Sequence, residues 1–188
     1  PAERLMPTEE SQDLIDLTRE ICADQLAPKV VAAEEAAEFP RDTFALLGRS
    51  GLLSLPYPEE FGGGDQPYEV YLQVLEEIGA VWSSVGVGVS VHALSCFGLA
   101  YFGTEEQKAE WLPAMLSGDL LGAYCLSEPG SGTDAGSLKC RAQAQGQGYA
   151  VSGTKAWVTN AGFADFFLVF VSTAPDLKNK GISALLVD

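Results

Sequence analysis

Residues 124–134 read YCLSEPGSGTD and residues 154–160 read TKAWVTN, and the fold turns on where these two stretches fall. Upstream of them apolar residues recur at helical spacing, and from residue 121 onward they alternate. The first stretch is expected to be a strand over 121–127 that runs into a turn holding Pro129, Gly130 and Gly132. In such a strand Tyr124 and Leu126 share one face, while Cys125 and Ser127 share the other. The turn offers backbone amides that glycine leaves uncovered, plus the hydroxyls of Ser131 and Thr133, a donor set suited to an anion. In the second stretch Trp157 and Thr159 alternate on one face of an expected strand over 156–159. An indole two residues from a hydroxyl suits a planar heteroaromatic ligand with polar edges.

Upstream, Leu14, Leu17, Ile21 and Leu26 predict a helix over 8–27 that stops before Pro28, with Glu9 and Glu10 favourably placed in its first turn. Further helices are expected over 30–38 and from residue 40 or 41 to near Gly51, followed by a loop over 56–64. Pro67 opens the next helix, whose stripe is Val70, Tyr71, Val74, Leu75 and Ile78. Residues 83–102 carry small side chains that permit close helix packing, and His92 among them reads as a satisfied buried histidine. Thr104 and Gln107 form a capping box for a helix that ends at Ser117 and Gly118. Strands are then expected over 121–127, 137–145, 149–153, 156–159, 166–173 and 182–187, with a hairpin turn at 146–148. The class is α+β: a helical domain over 1–120 and an incomplete antiparallel β domain over 121–188.

The chain has 188 residues, 47% of them hydrophobic, which is enough to bury a sizeable core. Its net charge of −15 is unevenly spread: 21 acids stand against 6 bases up to residue 121, and five against five after it. Such a field repels a phosphate backbone, so nucleic acid is disfavoured as a partner. Residues 81–102 form the longest low-charge stretch, and its serines, glycines and histidine read as a buried helix, with no membrane span expected. No signal peptide is visible, and a start at Pro1 without Met reads as processed or trimmed. Cys22, Cys96, Cys125 and Cys140 lack metal-ligand spacing, so no metal site is expected and a reducing compartment fits.

The ordered motifs LSEPGSGTDAG, GTKAWVTNA and NKGISALLVD together resemble the acyl-CoA dehydrogenase family, and are similar in flavour to its short-chain members. The resemblance implies FAD as cofactor. It places Tyr124, Leu126 and Ser127 along the flavin ring, with the Ser127 hydroxyl on the pyrimidine side. It puts the pyrophosphate on Gly132 and Thr133, with Thr133 also near the substrate, and Trp157, Val158 and Thr159 against the flavin. The implied reaction is α,β-dehydrogenation of an acyl-CoA thioester to the trans-2-enoyl-CoA, with electrons passed on to electron-transfer flavoprotein. An acyl-CoA oxidase-like flavoenzyme and a non-catalytic binding subunit are the alternatives. Glu128 and Asp134 make a tempting acid/base pair, but the resemblance gives neither that role. The family's catalytic carboxylate belongs to a C-terminal helical domain, so none of these residues is nominated as catalytic. A homotetramer in the cytoplasm, or in the mitochondrial matrix of a eukaryote, is the implied setting.

Overall fold

The computed structural model describes residues 8–146 and 148–188; Gln147, the middle of the expected hairpin turn, lies outside the described residues. Among the described residues six α-helices come first: α1 (Glu9–Ile21), α2 (Ala27–Ala36), α3 (Arg41–Arg49), α4 (Tyr68–Val81), α5 (Ser83–Phe102) and α6 (Glu105–Leu116). Five strands follow: β1 (Gly122–Cys125), β2 (Arg141–Gln145), β3 (Gly148–Ser152), β4 (Phe166–Ser172) and β5 (Ile182–Val187). The expected α+β class is what the molecule shows.

Helix α1 starts at Thr8, whose side chain accepts the Ser11 N–H. It does not stop before Pro28. A five-residue π turn, Cys22–Leu26, carries the chain directly into α2, which has Pro28 in its first turn. Proline lacks an N–H and its ring clashes with the carbonyl four residues back, and the wider turn relieves both demands. The inward face of this rod is Ser11, Ile15, Thr18, Cys22 and Leu26, while Leu17 of the expected stripe faces out. Both members of the Thr104–Gln107 box are made at the start of α6.

Helix α5 is the axis of the molecule. By length and composition it could cross a membrane, but here its buried side carries Val85, Val89, Ala93, Cys96 and Leu99 into the core. Gly86 lets it approach α4 closely, since a Cβ there would stand 2.8 Å from Gly79 Cα. On its far side it meets the sheet, where a Cβ on Gly122 would strike the Phe166 ring at 2.4 Å. One apolar core therefore runs from α1 through α5 to Leu121 and Phe166.

The sheet is mixed, where only antiparallel pairing was expected. Strand β4 lies parallel to β1, with Gly122 opposite Phe166, and antiparallel to β5. The β2–β3 hairpin is antiparallel and joins β4 through the Arg141–Ser172 pair alone. Parallel strands need a crossover, and residues 126–165 supply it.

Candidate functional site

Both stretches that opened the sequence reading run through that crossover, the first starting at the last two residues of β1. Strand β1 ends at Cys125, so alternation stops before Leu126 and the chain enters its turn one residue pair early. The turn closes on itself: Glu128 N–H donates to Ser131 O at 2.8 Å and Ser131 N–H to Glu128 O at 3.1 Å. Ser131 is buried and its hydroxyl donates to Asp134 O at 2.8 Å. Its expected role as a free donor is thereby overturned, because the loop needs it to hold its own shape. Thr133 and Gly132 remain exposed.

Gly130 and Gly132 show why this loop reads as a ligand cradle. Neither has a left-handed backbone, and a Cβ at either would meet nothing within 4 Å. Nothing inside the protein demands glycine at these positions, so the bare backbone faces outward, open to close approach.

Glu128 anchors the loop. Its carboxylate accepts the Lys139 N–H at 2.6 Å, the Cys140 N–H at 2.9 Å and Lys155 Nζ at 2.9 Å. Burial pushes the carboxyl upward, but these donors outweigh it and hold Glu128 below the ordinary carboxylate range. A carboxylate with three donors is no proton acceptor for a substrate, in keeping with its expected role as an acceptor of backbone amides. Lys155 also donates to Leu126 O at 3.0 Å, and the Ala156 N–H to Ser127 O at 2.9 Å. The second stretch is thus latched along the first.

The expected strand over 156–159 does not form. Its Ala156 N–H donates to Ser127 O at 2.9 Å and its Val158 O accepts the Ala161 N–H at 3.3 Å, a turn rather than a ladder; Trp157 and Asn160 both take left-handed backbone, at φ 59° and 68°. Asn160 fixes the turn: its buried amide donates to Gly122 O at 3.1 Å and to Gly88 O at 3.3 Å, pinning the turn to β1 and α5. The indole of Trp157 stands 94% exposed. Val158 and Thr159 are half-buried, as are Leu126, Ser127 and Tyr124; the Tyr124 ring lies 5.0 Å from that of Phe170.

His92 is fully engaged. Nδ1 accepts the Gly122 N–H at 3.0 Å, and Nε2 lies 2.9 Å from Met115 O. With Gly122 donating to one nitrogen, the other carries the proton and donates to Met115. Burial lowers its pKa to about 4, which fits a neutral structural imidazole tying β1 to α5 and α6. The four cysteines are free and buried. Helix α5 leaves Val87, Leu94, Phe97 and Tyr101 exposed along one seam.

Three residues that carry this site escaped the sequence reading. Lys155 and Asn160 sit inside the quoted motif, where Asn ahead of Gly162 was a turn signal. Arg41, whose Nη2 donates to Asp165 Oδ2 at 2.7 Å and to Asp119 O at 2.9 Å, clamps the point where the helices hand over to β1. No local pattern marks a pair so far apart in sequence.

An α-helical unit packed on a mixed sheet, with an open glycine loop latched to an exposed tryptophan turn, is the arrangement the chain builds. Comparison with known proteins makes this specific. Residues 8–119 match the acyl-CoA dehydrogenase N-terminal domain and residues 123–188 the acyl-CoA dehydrogenase middle domain. The chain belongs to the acyl-CoA dehydrogenase family. It is 38% identical over 182 residues to an acyl-CoA dehydrogenase of Bacillus subtilis, covering 96% of this chain and 48% of that one. It is 40% identical over 180 residues to the mitochondrial short-chain specific acyl-CoA dehydrogenase of Homo sapiens, covering 95% and 44%. Among solved structures it is similar to butyryl-CoA dehydrogenase from Megasphaera elsdenii, with TM-score 0.91 and 29% identity over 99% of this chain and 50% of that one. Acyl-CoA dehydrogenase from Geobacillus kaustophilus gives TM-score 0.91 and 31% identity, with 99% and 50% covered. The chain spans about half the length of the relatives it matches.

Proposed function

We propose that this chain forms the helical and sheet parts of an FAD-dependent enzyme that converts an acyl-CoA thioester to its trans-2-enoyl-CoA. The observation that carries the reading is the Trp157 turn. An almost fully exposed indole on a left-handed backbone costs about 1 kcal/mol in the backbone alone, and latching it against an open glycine loop makes sense when a flat ligand covers it. Bound FAD would supply the two-electron acceptor.

The residues fit that group. Gly132 and Thr133 present donors for the pyrophosphate, Trp157 and Val158 cover the ring, and Thr159 and Ser127 bond its polar edge, with Tyr124 and Leu126 beside it. Thr133 also borders the substrate. These residues bind, orient and exclude water; with Glu128 saturated by three donors, they include no proton acceptor for the α-carbon. A division at residues 120 and 121, electron-transfer flavoprotein as acceptor and a homotetramer belong to the same proposal.

The test is spectroscopic. Complete protein containing this chain is expected to purify with the flavin absorption band, which anaerobic butyryl-CoA bleaches. A colourless protein that takes up no FAD would overturn the reading. Rapid peroxide release in air would instead select the oxidase alternative.

A further inference from the structure

The stretch 154–160 carries two buried polar side chains that the proposed chemistry leaves without a part, Lys155 and Asn160. The Lys155 side chain is 10% exposed, and its Nζ donates to Leu126 O at 3.0 Å and to Glu128 Oε1 at 2.9 Å. Asn160 is 8% exposed, and its amide donates to Gly122 O and Gly88 O. The two side chains therefore grip opposite ends of one run, 122–126. Trp157, Val158 and Thr159 lie between them in the chain.

That run is β1 and the residue after it, and β1 is an edge strand paired with β4 alone. A neighbouring strand would impose an extended backbone on 156–159 and turn alternate side chains away. Among the described residues no main-chain bond joins Trp157, Val158 or Thr159 to β1. Side-chain pegs hold the segment instead, which leaves its backbone free to take the left-handed step at Trp157, φ 59°.

Both pegs suit this task better than they suit stability. A buried ion pair such as Lys155–Glu128 adds little to stability over an apolar pair of the same size, and its better-attested use is to fix register. Asn is among the few residues besides glycine that readily adopt φ 68°, and its amide has two hydrogens, one for each carbonyl. We propose that Lys155 and Asn160 are positioning residues for the flavin, fixing Trp157 and Thr159 at the spacing from Tyr124 and Ser127 that the ring needs. The assignment rests on the function proposed above and gives the shape of the ring site to two residues that bond only to protein atoms.

The test titrates FAD into the complete protein stripped of flavin. Lys155→Met keeps the apolar stem and leaves Glu128 its two amide donors, Lys155→Arg keeps the charge, and Asn160→Gly keeps the left-handed turn without the amide. Lys155→Met and Asn160→Gly are expected to bind FAD about tenfold more weakly than wild type, and Lys155→Arg within about twofold of it. Ile15→Ala, on the buried face of α1, controls for stability: it is expected to lower the thermal midpoint with FAD affinity unchanged. Affinity that merely tracks the midpoint across these variants would overturn the assignment, as would wild-type affinity in Lys155→Met and Asn160→Gly. Hydrogen exchange of the FAD-free protein reads the pegs directly. The Ala156 and Ala161 amides, bonded to Ser127 O and Val158 O, are expected to exchange at least about tenfold faster in those two variants, and unchanged exchange would refute the pegs. A wild type that takes up no FAD overturns the proposed function and the assignment together, whereas a wild type that binds FAD beside insensitive variants overturns the assignment alone.

Discussion

At the scale of single residues, two buried titratable groups set how the molecule responds to acid. His92 is lowered to about 4 from an ordinary value of 6.5, so the unfolded chain takes up a proton that the folded chain refuses between those values. Stability is therefore full above pH 6.5 and falls as pH drops towards 4, by about 3 kcal/mol in the limit. The urea midpoint followed over that range should show the slope, and His92→Gln should flatten it. Glu128 works in the same direction lower down: its depressed pKa stabilises the fold above the ordinary carboxylate value, and that support goes as pH falls through the folded one. Glu128→Ala leaves Lys155 buried without its partner, with side chains here 10% and 6% exposed, and should cost about 3 kcal/mol. Thermal melts of the variant would show it, and a loss under 1 kcal/mol would mean the latch is weaker than its geometry.

Asn160 shows what single residues hide from a sequence reading. W-V-T alternates like a strand, yet Ala156 spends its N–H on Ser127 and Asn160 spends its amide on two carbonyls far along the chain. Those tertiary bonds, invisible in a window of four residues, outcompete a sheet ladder. The residues that the family resemblance assigns to the flavin could be named because several ordered motifs carry them; the bent backbone that presents Trp157 could not be read.

At the scale of elements, the close crossing of α4 and α5 gives a paired prediction. A Cβ at Gly79 meets nothing within 4 Å, whereas one at Gly86 would press on Gly79 Cα at 2.8 Å. Gly79→Ala should raise stability by about 0.5 kcal/mol through helix propensity and a less free unfolded chain. Gly86→Ala should lower it by about 2 kcal/mol, since the helices must part. Denaturant titration of both separates the cases, and equal effects would refute the crossing. Elements with strong local signals were legible: the Thr104 box, the Val70–Tyr71–Val74–Ile78 stripe and the β2–β3 hairpin all form. Pro28 was not, because a π turn lets a helix pass a proline that propensity reads as a stop. The parallel β1–β4 pair was not either, since pairing direction is a property of the connection and not of the strands.

For the whole molecule, charge and apolar surface are separated. The acidic field belongs to the helices, and the seam of Val87, Leu94, Phe97 and Tyr101 is an apolar strip on an otherwise charged body. The 188-residue chain made alone should bind a hydrophobic dye along this strip, and Leu94→Asn with Phe97→Asn should reduce that signal with little change in melting temperature. An unchanged dye signal would place the exposed surface elsewhere.

The long detour between β1 and β4 has its own consequence. Its entrance and exit lie side by side, fixed by the Gly122–Phe166 register and by Asp165, whose carboxylate takes the Leu121 N–H at 2.7 Å and Arg41. The residues proposed to meet the flavin from Leu126 to Thr159 sit between two adjacent, firmly held ends. The detour is in effect a cartridge: a loop-and-hairpin insert from a cousin with different tastes could be spliced in without asking the helices to refold.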